Sequence, residues 1–263
     1  MILTNENYYS QESNMGYMSV SQYKSFLKCE AATMAELRGE WVRPKTTALL
    51  VGSYVDSYFE GTLDNFRSEN PEIFKRDGTL KADYIQAEEI IARINADPMF
   101  TAYMSGKKQE IFTAELFGVK WKIKIDSLLP EMIVDLKVMR SIERIMGKSF
   151  VEHWMYDLQM AVYAAVYKAV TGKNMATFLA VATKQDPVDL EIIHIPEWRR
   201  EELLADVERK LPRMIRLKTG EDKLAERCGV CEYCRATKKL TEPIDFELVG
   251  LSTAERKALF GGL

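Results

Sequence analysis

Histidine is nearly missing from this chain: His153 and His194 are the only two among 263 residues. That scarcity leaves no convincing Ser/His/Asp or Cys/His hydrolase arrangement. No apolar run approaches the roughly 20 residues that a bilayer span needs, so no membrane segment is expected. The first ten residues are polar and acidic, so no secretory leader is expected. Neither sign of charge dominates. Lys and Arg number 36 against 39 Asp and Glu, a net charge of −3. That balance excludes a histone-like coat for polyanions, but it does not exclude a local basic groove. Repeats, low-complexity tracts and long linkers are absent, which excludes disordered, collagenous and coiled-coil classes. Cysteine is sparse, at four. Without a leader the expected compartment is a reducing cytoplasm, where metal ligation is favoured over disulfides.

What is present is an ordinary core-forming composition, 47% hydrophobic and 29% charged, and one domain over residues 1–263 is expected. Residues 19–39 read as a helix capped by Ser19 or Ser21 and stopped at Gly39. Residues 46–61 read as a second helix, and 62–80 as turn-rich, with Pro71 and Asp77-Gly78. Residues 81–96 form an amphipathic helix with Ile85, Ile90, Ile91 and Ile94 on its apolar stripe. The period then changes to two. Residues 110–116 and 119–128 predict a hairpin around Phe117-Gly118, and 131–138 a third strand. A long helix over 151–171 ends at Gly172. Two more strands follow at 175–183 and 188–195. A helix from Pro196 to about Lys218 carries a kink or break at Pro212, and a short helix lies near 252–260. The order predicts an α/β domain with a helical N-terminal extension.

The centre of the chemistry is the segment from Ile125 to Lys137. Asp126 ends one strand, and Asp135 and Lys137 share a face of the next. Adjacent antiparallel strands bring the two carboxylates together. Hard cations such as Mg²⁺ take oxygen ligands. A lysine on the same side can orient water or stabilise charge on a phosphate.

These residues resemble the PD-(D/E)xK nuclease superfamily, in particular its RecB/RecE/lambda-exonuclease-like branch. Gly52-x-x-x-Asp56-x-x-x-Glu60 resembles that branch's upstream helical motif, with Asp56 where His is usual. Gln159-x-x-x-Tyr163 matches its downstream helical motif. The resemblance implies a restriction-endonuclease-like core at about 46–195, with a central mixed β-sheet flanked by helices. It implies Asp126, Asp135 and the Leu136 carbonyl as Mg²⁺ or Mn²⁺ ligands, Lys137 as the water-positioning group, and Gln159 and Tyr163 as accessory catalytic residues. Asp56 and Glu60, at i and i+4, and Glu110 at the start of the hairpin are further candidate metal ligands.

Cys228, Cys231 and Cys234 fall within seven residues, and Cys29 lies far upstream. The set is similar to the iron–sulfur staple of AddB-type and CRISPR-associated relatives. It implies a structural [4Fe–4S] cluster, with Zn²⁺ as the alternative. Lys120, Lys122 and Lys124 precede Asp126, and Arg140 and Arg144 follow Lys137. They are candidate phosphate contacts.

The resemblance therefore implies a metal-dependent exonuclease acting 5′ to 3′ on linear duplex DNA. A single-strand annealing recombinase is the implied partner, and a homo-oligomer is allowed. A CRISPR-adaptation-like nuclease of single-stranded overhangs is one alternative. A non-catalytic, cluster-stapled DNA-binding module is another.

Overall fold

The computed structural model describes residues 1–44, 46–240 and 242–260. The chain opens with α1 (Gln11–Gly16), α2 (Val20–Lys28), α3 (Glu30–Leu37), α4 (Thr47–Glu60) and α5 (Leu63–Glu69). Next come α6 (Ala82–Asn95) and α7 (Pro98–Tyr103), then β1 (Glu110–Leu116), β2 (Val119–Ile125), β3 (Ser127–Leu128) and β4 (Met132–Met139). After them lie α8 (Phe150–His153), α9 (Tyr156–Thr171), β5 (Ala176–Thr183) and β6 (Leu190–His194). The chain continues through α10 (Glu197–Thr219), α11 (Glu232–Ala236) and α12 (Thr253–Phe260).

Two compact units divide these elements. One comprises residues 44–116 and 121–206; the other comprises 1–43, 117–120 and 207–263. The first contains a mixed sheet in the order β3-β4-β5-β6, parallel between β4 and β5 and antiparallel elsewhere. Central β4 and β5 are buried along most of their length, as expected for strands covered on both faces. Val134, Leu136, Ala180 and Ala182 pack with Val51, Tyr54 and Val55 of α4 and Ile90, Ile91 and Ile94 of α6. Helix α9 contacts β1, β4 and β5. This is the mixed, helix-flanked sheet expected from the sequence.

The α4 boundaries follow local chemistry. The Thr46 side chain accepts from Leu49 N, and Gly61 closes the helix at φ 77°, a conformation glycine adopts without strain. Phe117 and Gly118 both have positive φ, as a tight hairpin turn with matching twist requires. Another glycine is fixed by space. A Cβ on Gly106 would lie 2.6 Å from the carbonyl carbon of Leu128. There the chain crosses β3: Lys107 and Leu128 exchange backbone hydrogen bonds of 2.9 Å, and Gly106 N donates to Ser127 Oγ at 3.0 Å.

Several local expectations need correction. The helix over 19–39 is two helices, broken at Cys29 (φ −165°, ψ 106°), whose sulfur accepts from Ala32 N. A side-chain acceptor at that point begins a new helix instead of extending the old one. The 151–171 helix is also two, parted where Met155 takes left-handed φ. The turn-rich stretch 62–80 contains α5, and α7 was not foreseen. Ile85 is 45% exposed, and the stripe of α6 runs through Tyr84, Ala87, Ile90, Ile91 and Ile94. Helix α10 continues through Pro212.

Candidate functional site

Register builds the site. Ser127 pairs with Val134, which brings Asp126, at the bend just before β3, toward Asp135. The backbone N–H of Leu136 donates to Asp126 Oδ2 at 2.9 Å. Alternation along β4 sends Asp135 and Lys137 to one face and Leu136 to the other. Gln159 of α9 donates to Asp135 Oδ1 at 2.6 Å. The Lys137 ammonium forms an ion pair with Asp135 and donates to the Leu136 carbonyl at 3.2 Å. It also lies 5.3 Å from the centroid of the Tyr156 ring.

Helix α4 brings Asp56 and Glu60, one turn apart, to the same place. A space of about 10 Å³ is lined by Asp56, Phe59, Glu60, Met104, Gln109, Asp126 and Leu136. That is the room of one water molecule or a bare cation. Burial pushes Asp126 up to about 7, helped by the neighbouring charge of Asp135. Burial and Asp126 push Asp56 well above the usual carboxylate range. Burial would lower Lys137, but Asp135 and Asp126 outweigh it and hold the ammonium above the ordinary lysine range. Carboxylates crowded in this way repel one another unless protons or a cation lie between them.

Gln109 completes the lining, and sequence reasoning missed it. Its Nε2 donates to Asp126 Oδ1 at 3.3 Å, and its buried Oε1 has no hydrogen-bond partner. Turning the amide over would set oxygen against oxygen, so the network fixes the orientation. Gln109 also holds left-handed backbone, φ 53°, which is uncommon for a residue with a side chain. An orphaned buried oxygen beside two carboxylates fits a hard cation. Asp56, Asp126 and Gln109 are therefore the side chains that would hold a divalent metal. The sequence carried no signal for Gln109, because a Gln-Glu pair at a strand start favours the acid as ligand. Glu110 begins β1 and does not line the space.

The remaining sequence candidates lie as follows. Tyr163 sits half-buried on α9, one turn beyond Gln159. Lys120 is exposed and Lys124 half-buried. Lys122, a candidate phosphate contact in the sequence, is 1% exposed, and burial lowers its pKa to about 8. Arg140 is exposed, and the Arg144 guanidinium donates to the Gly147 carbonyl.

The other unit gathers the four cysteines. Their sulfurs all lie within 4.8 Å of one another, with Cys29 to Cys234 at 3.7 Å and Cys228 to Cys234 at 3.9 Å. Backbone N–H groups of Ala32, Cys228, Cys231 and Cys234 point at sulfur over 3.3–3.5 Å. Cys231 is pushed up to about 12, first by burial and then by its cysteine neighbours. Cys228 falls to about 7, because N–H donors from Val230 and Cys231 outweigh burial. Four thiols this close cannot all ionise without a cation to offset them.

Residues 19–237 match the family described as a PDDEXK-like domain of unknown function (DUF3799). The chain belongs to this PDDEXK-like family. It thereby falls in the PD-(D/E)xK nuclease superfamily. A crystal structure of a candidate exonuclease from Eubacterium rectale is 51% identical, with a TM-score of 0.91 over 95% of this chain and 99% of that one. A second solved structure, SSO0001, is 14% identical over 72% of this PDDEXK-like chain and 85% of its own, with a TM-score of 0.28; a score that low carries no argument. No curated protein matches. No helix among the described residues is long and apolar enough to cross a membrane.

Proposed function

We propose that this chain is a metal-dependent deoxyribonuclease that hydrolyses phosphodiester bonds at the ends of linear DNA. The RecE-like branch, with 5′ to 3′ action on duplex DNA in phage-type recombination, is our reading of its specificity. The observation that carries the reading is the convergence of Asp56, Asp126 and Gln109 on one cation-sized space, with Asp135 and Lys137 on either side of Leu136 on β4. Bound Mg²⁺ or Mn²⁺ would supply Lewis-acid polarisation and a reactive water at neutral pH. The chain's part is to hold oxygens for that ion. Lys137 presents a fixed positive charge where negative charge develops on phosphate. Gln159 fixes Asp135, and Asp135 in turn fixes Lys137. In domain terms we read residues 1–263 as one nuclease domain with its core at about 46–195 and the cysteines as a staple.

For the cysteines we infer a single tetrahedral ion, Zn²⁺. Metal–sulfur bonds of about 2.3 Å place tetrahedral sulfurs roughly 3.8 Å apart, which matches the observed 3.7 and 3.9 Å. A [4Fe–4S] cube would hold its cysteines on outer corners, farther apart than these. Elemental analysis of the anaerobically purified protein separates the two.

The test of the nuclease reading is digestion of end-labelled DNA with Mg²⁺ or Mn²⁺. Linear duplex is expected to be degraded and covalently closed circles spared. Equal digestion of circles would refute end dependence, and no digestion with either metal would refute the nuclease. Protons compete with metal at Asp126, so cleavage is expected to rise with pH up to about 7.

Gln109→Ala is expected to raise the Mn²⁺ concentration needed for half-maximal cleavage by roughly 10–100-fold, the usual cost of losing a supporting oxygen. Saturating Mn²⁺ should restore the rate. An unchanged metal requirement would remove Gln109 from the site.

A further inference from the structure

The unit that carries the sheet has a hollow of about 470 Å³, the size of a small-ligand site. Its lining comes from residues 142–157, from β6 and from the start of α10, all within that one unit. Ile142, Phe150, Val151, Ile193, Ile195 and Pro196 supply an apolar surface. Trp198 belongs to the same lining and is 67% exposed. Among the described residues, none makes a hydrogen bond or ring contact with its indole. A tryptophan left largely in water, beside an apolar hollow, offers a flat face for another planar group.

The polar side chains of the lining are occupied with one another. Arg199 pairs with Asp157 at 2.9 Å and with Glu202 at 2.8 Å. Glu152 accepts from Ser149 N at 3.1 Å and Ser149 Oγ at 2.8 Å. Arg144 donates to the Gly147 carbonyl at 2.7 Å. Arg144 and Arg199 balance Glu152 and Asp157 in the lining, so the hollow gathers no charge for a phosphate. It suits a neutral, planar, partly apolar group.

Strand register connects the hollow to the carboxylates. Asp135 of β4 pairs with Leu179 of β5, and Leu179 pairs with Ile193 of β6. Directly paired residues share a face of the sheet. Neighbouring strands lie roughly 4.8 Å apart, so Ile193 stands about 10 Å from Asp135 on that face. Rings bridge the interval. The Phe150 and Tyr156 centroids are 6.5 Å apart, and the Tyr156 centroid is 5.3 Å from the Lys137 ammonium.

We propose that this hollow receives an unpaired base of the DNA strand whose backbone lies at the carboxylate–lysine site, with Trp198 as the stacking surface. Choosing a strand as the occupant rests on the nuclease reading, which sets a polynucleotide on the same face of the sheet. A base is the neutral planar group that every nucleotide of such a strand carries. With the polar lining already paired, no hydrogen-bonding edge is left to read one base against another, so the pocket accepts all four.

The experiment measures binding of a labelled single-stranded oligonucleotide to the whole protein without added divalent cation, at several salt concentrations. Trp198→Ala is expected to weaken binding by roughly 5–150-fold, the cost of one lost base stack. The salt slope should stay the same, because the indole neutralises no phosphate. Trp198→Tyr, which keeps a ring, should recover most of the affinity. On a strand of equal length built of abasic sugar-phosphate units, parent and Trp198→Ala should bind alike. Unchanged affinity of Trp198→Ala for the ordinary strand would overturn the proposal. So would an equal loss on the abasic strand, which would make Trp198 a structural residue. Deoxyadenosine monophosphate competing as tightly as the oligonucleotide would assign the hollow to a free nucleotide and overturn the strand. A parent that sediments as a dimer and a Trp198→Ala variant that sediments as a monomer would assign it to a second copy. Metal-dependent digestion by the unaltered chain is read separately. A parent that cleaves DNA while Trp198→Ala binds normally refutes the base pocket and leaves the nuclease standing.

Discussion

Lys137→Ala should lower Mg²⁺- or Mn²⁺-dependent DNA cleavage by roughly 10²–10³-fold, the cost of removing one preorganised charge from a site of this kind. Asp126→Asn should reduce it at least as far, because it removes a ligand charge while keeping an acceptor for the Leu136 N–H. Stability should move the other way in the second variant. Asp126 has a folded pKa raised to about 7 from an ordinary 3.8. The folded, metal-free protein therefore holds that proton more tightly than the unfolded chain does. The stabilisation is complete below about pH 4 and is lost as pH rises to about 7. Asp126→Asn removes this penalty. Above pH 7 the metal-free variant should melt at or above the parent temperature, and the difference should shrink toward pH 4. Cleavage assays with thermal melts at pH 5 and pH 8 read both effects. Full activity in either variant would refute the assignment. Lost activity with collapsed folding would point instead to a structural role.

Cys29→Ser should cost about 5 kcal/mol, the loop-closure value for a cross-link spanning a 205-residue separation. In a chain of this size that is roughly 10–20 °C of melting temperature. The bound metal should also be lost. Cys234→Ser should behave in the same way, because both sulfurs are buried and 3.7 Å apart. Calorimetry with elemental analysis checks it. Unchanged melting together with a metal-free parent would show that the cysteines are merely packed thiols.

The sequence disclosed this architecture unevenly. Period-two alternation over 110–138 and the helical period over 47–60 were legible because apolar residues recur at the strand and helix periods along them. Asp126, Asp135 and Lys137 could be brought together from strand spacing alone. Breaks at Cys29 and Met155 were not legible. The first depends on a sulfur acting as a helix cap, and the second on a left-handed methionine that tertiary packing must enforce. Lys122 was misread for a related reason. Alternation assigns a face, but it does not say whether solvent reaches that face. Gln109 is reached only through the packing around it, since no local pattern marks a side chain whose oxygen is left unpaired inside.

Gly106 shows how far the reach of the site extends beyond its charges. The space of a single methyl group is missing there, against the backbone of Leu128, two residues past Asp126. Any side chain at 106 would displace β3 from the segment it crosses, and the carboxylate would move with it. The tolerance of the proposed site's geometry is thus set partly by a residue with no functional group. Inactivating substitutions should accordingly fall on an uncharged crossing as well as on the acids and the lysine.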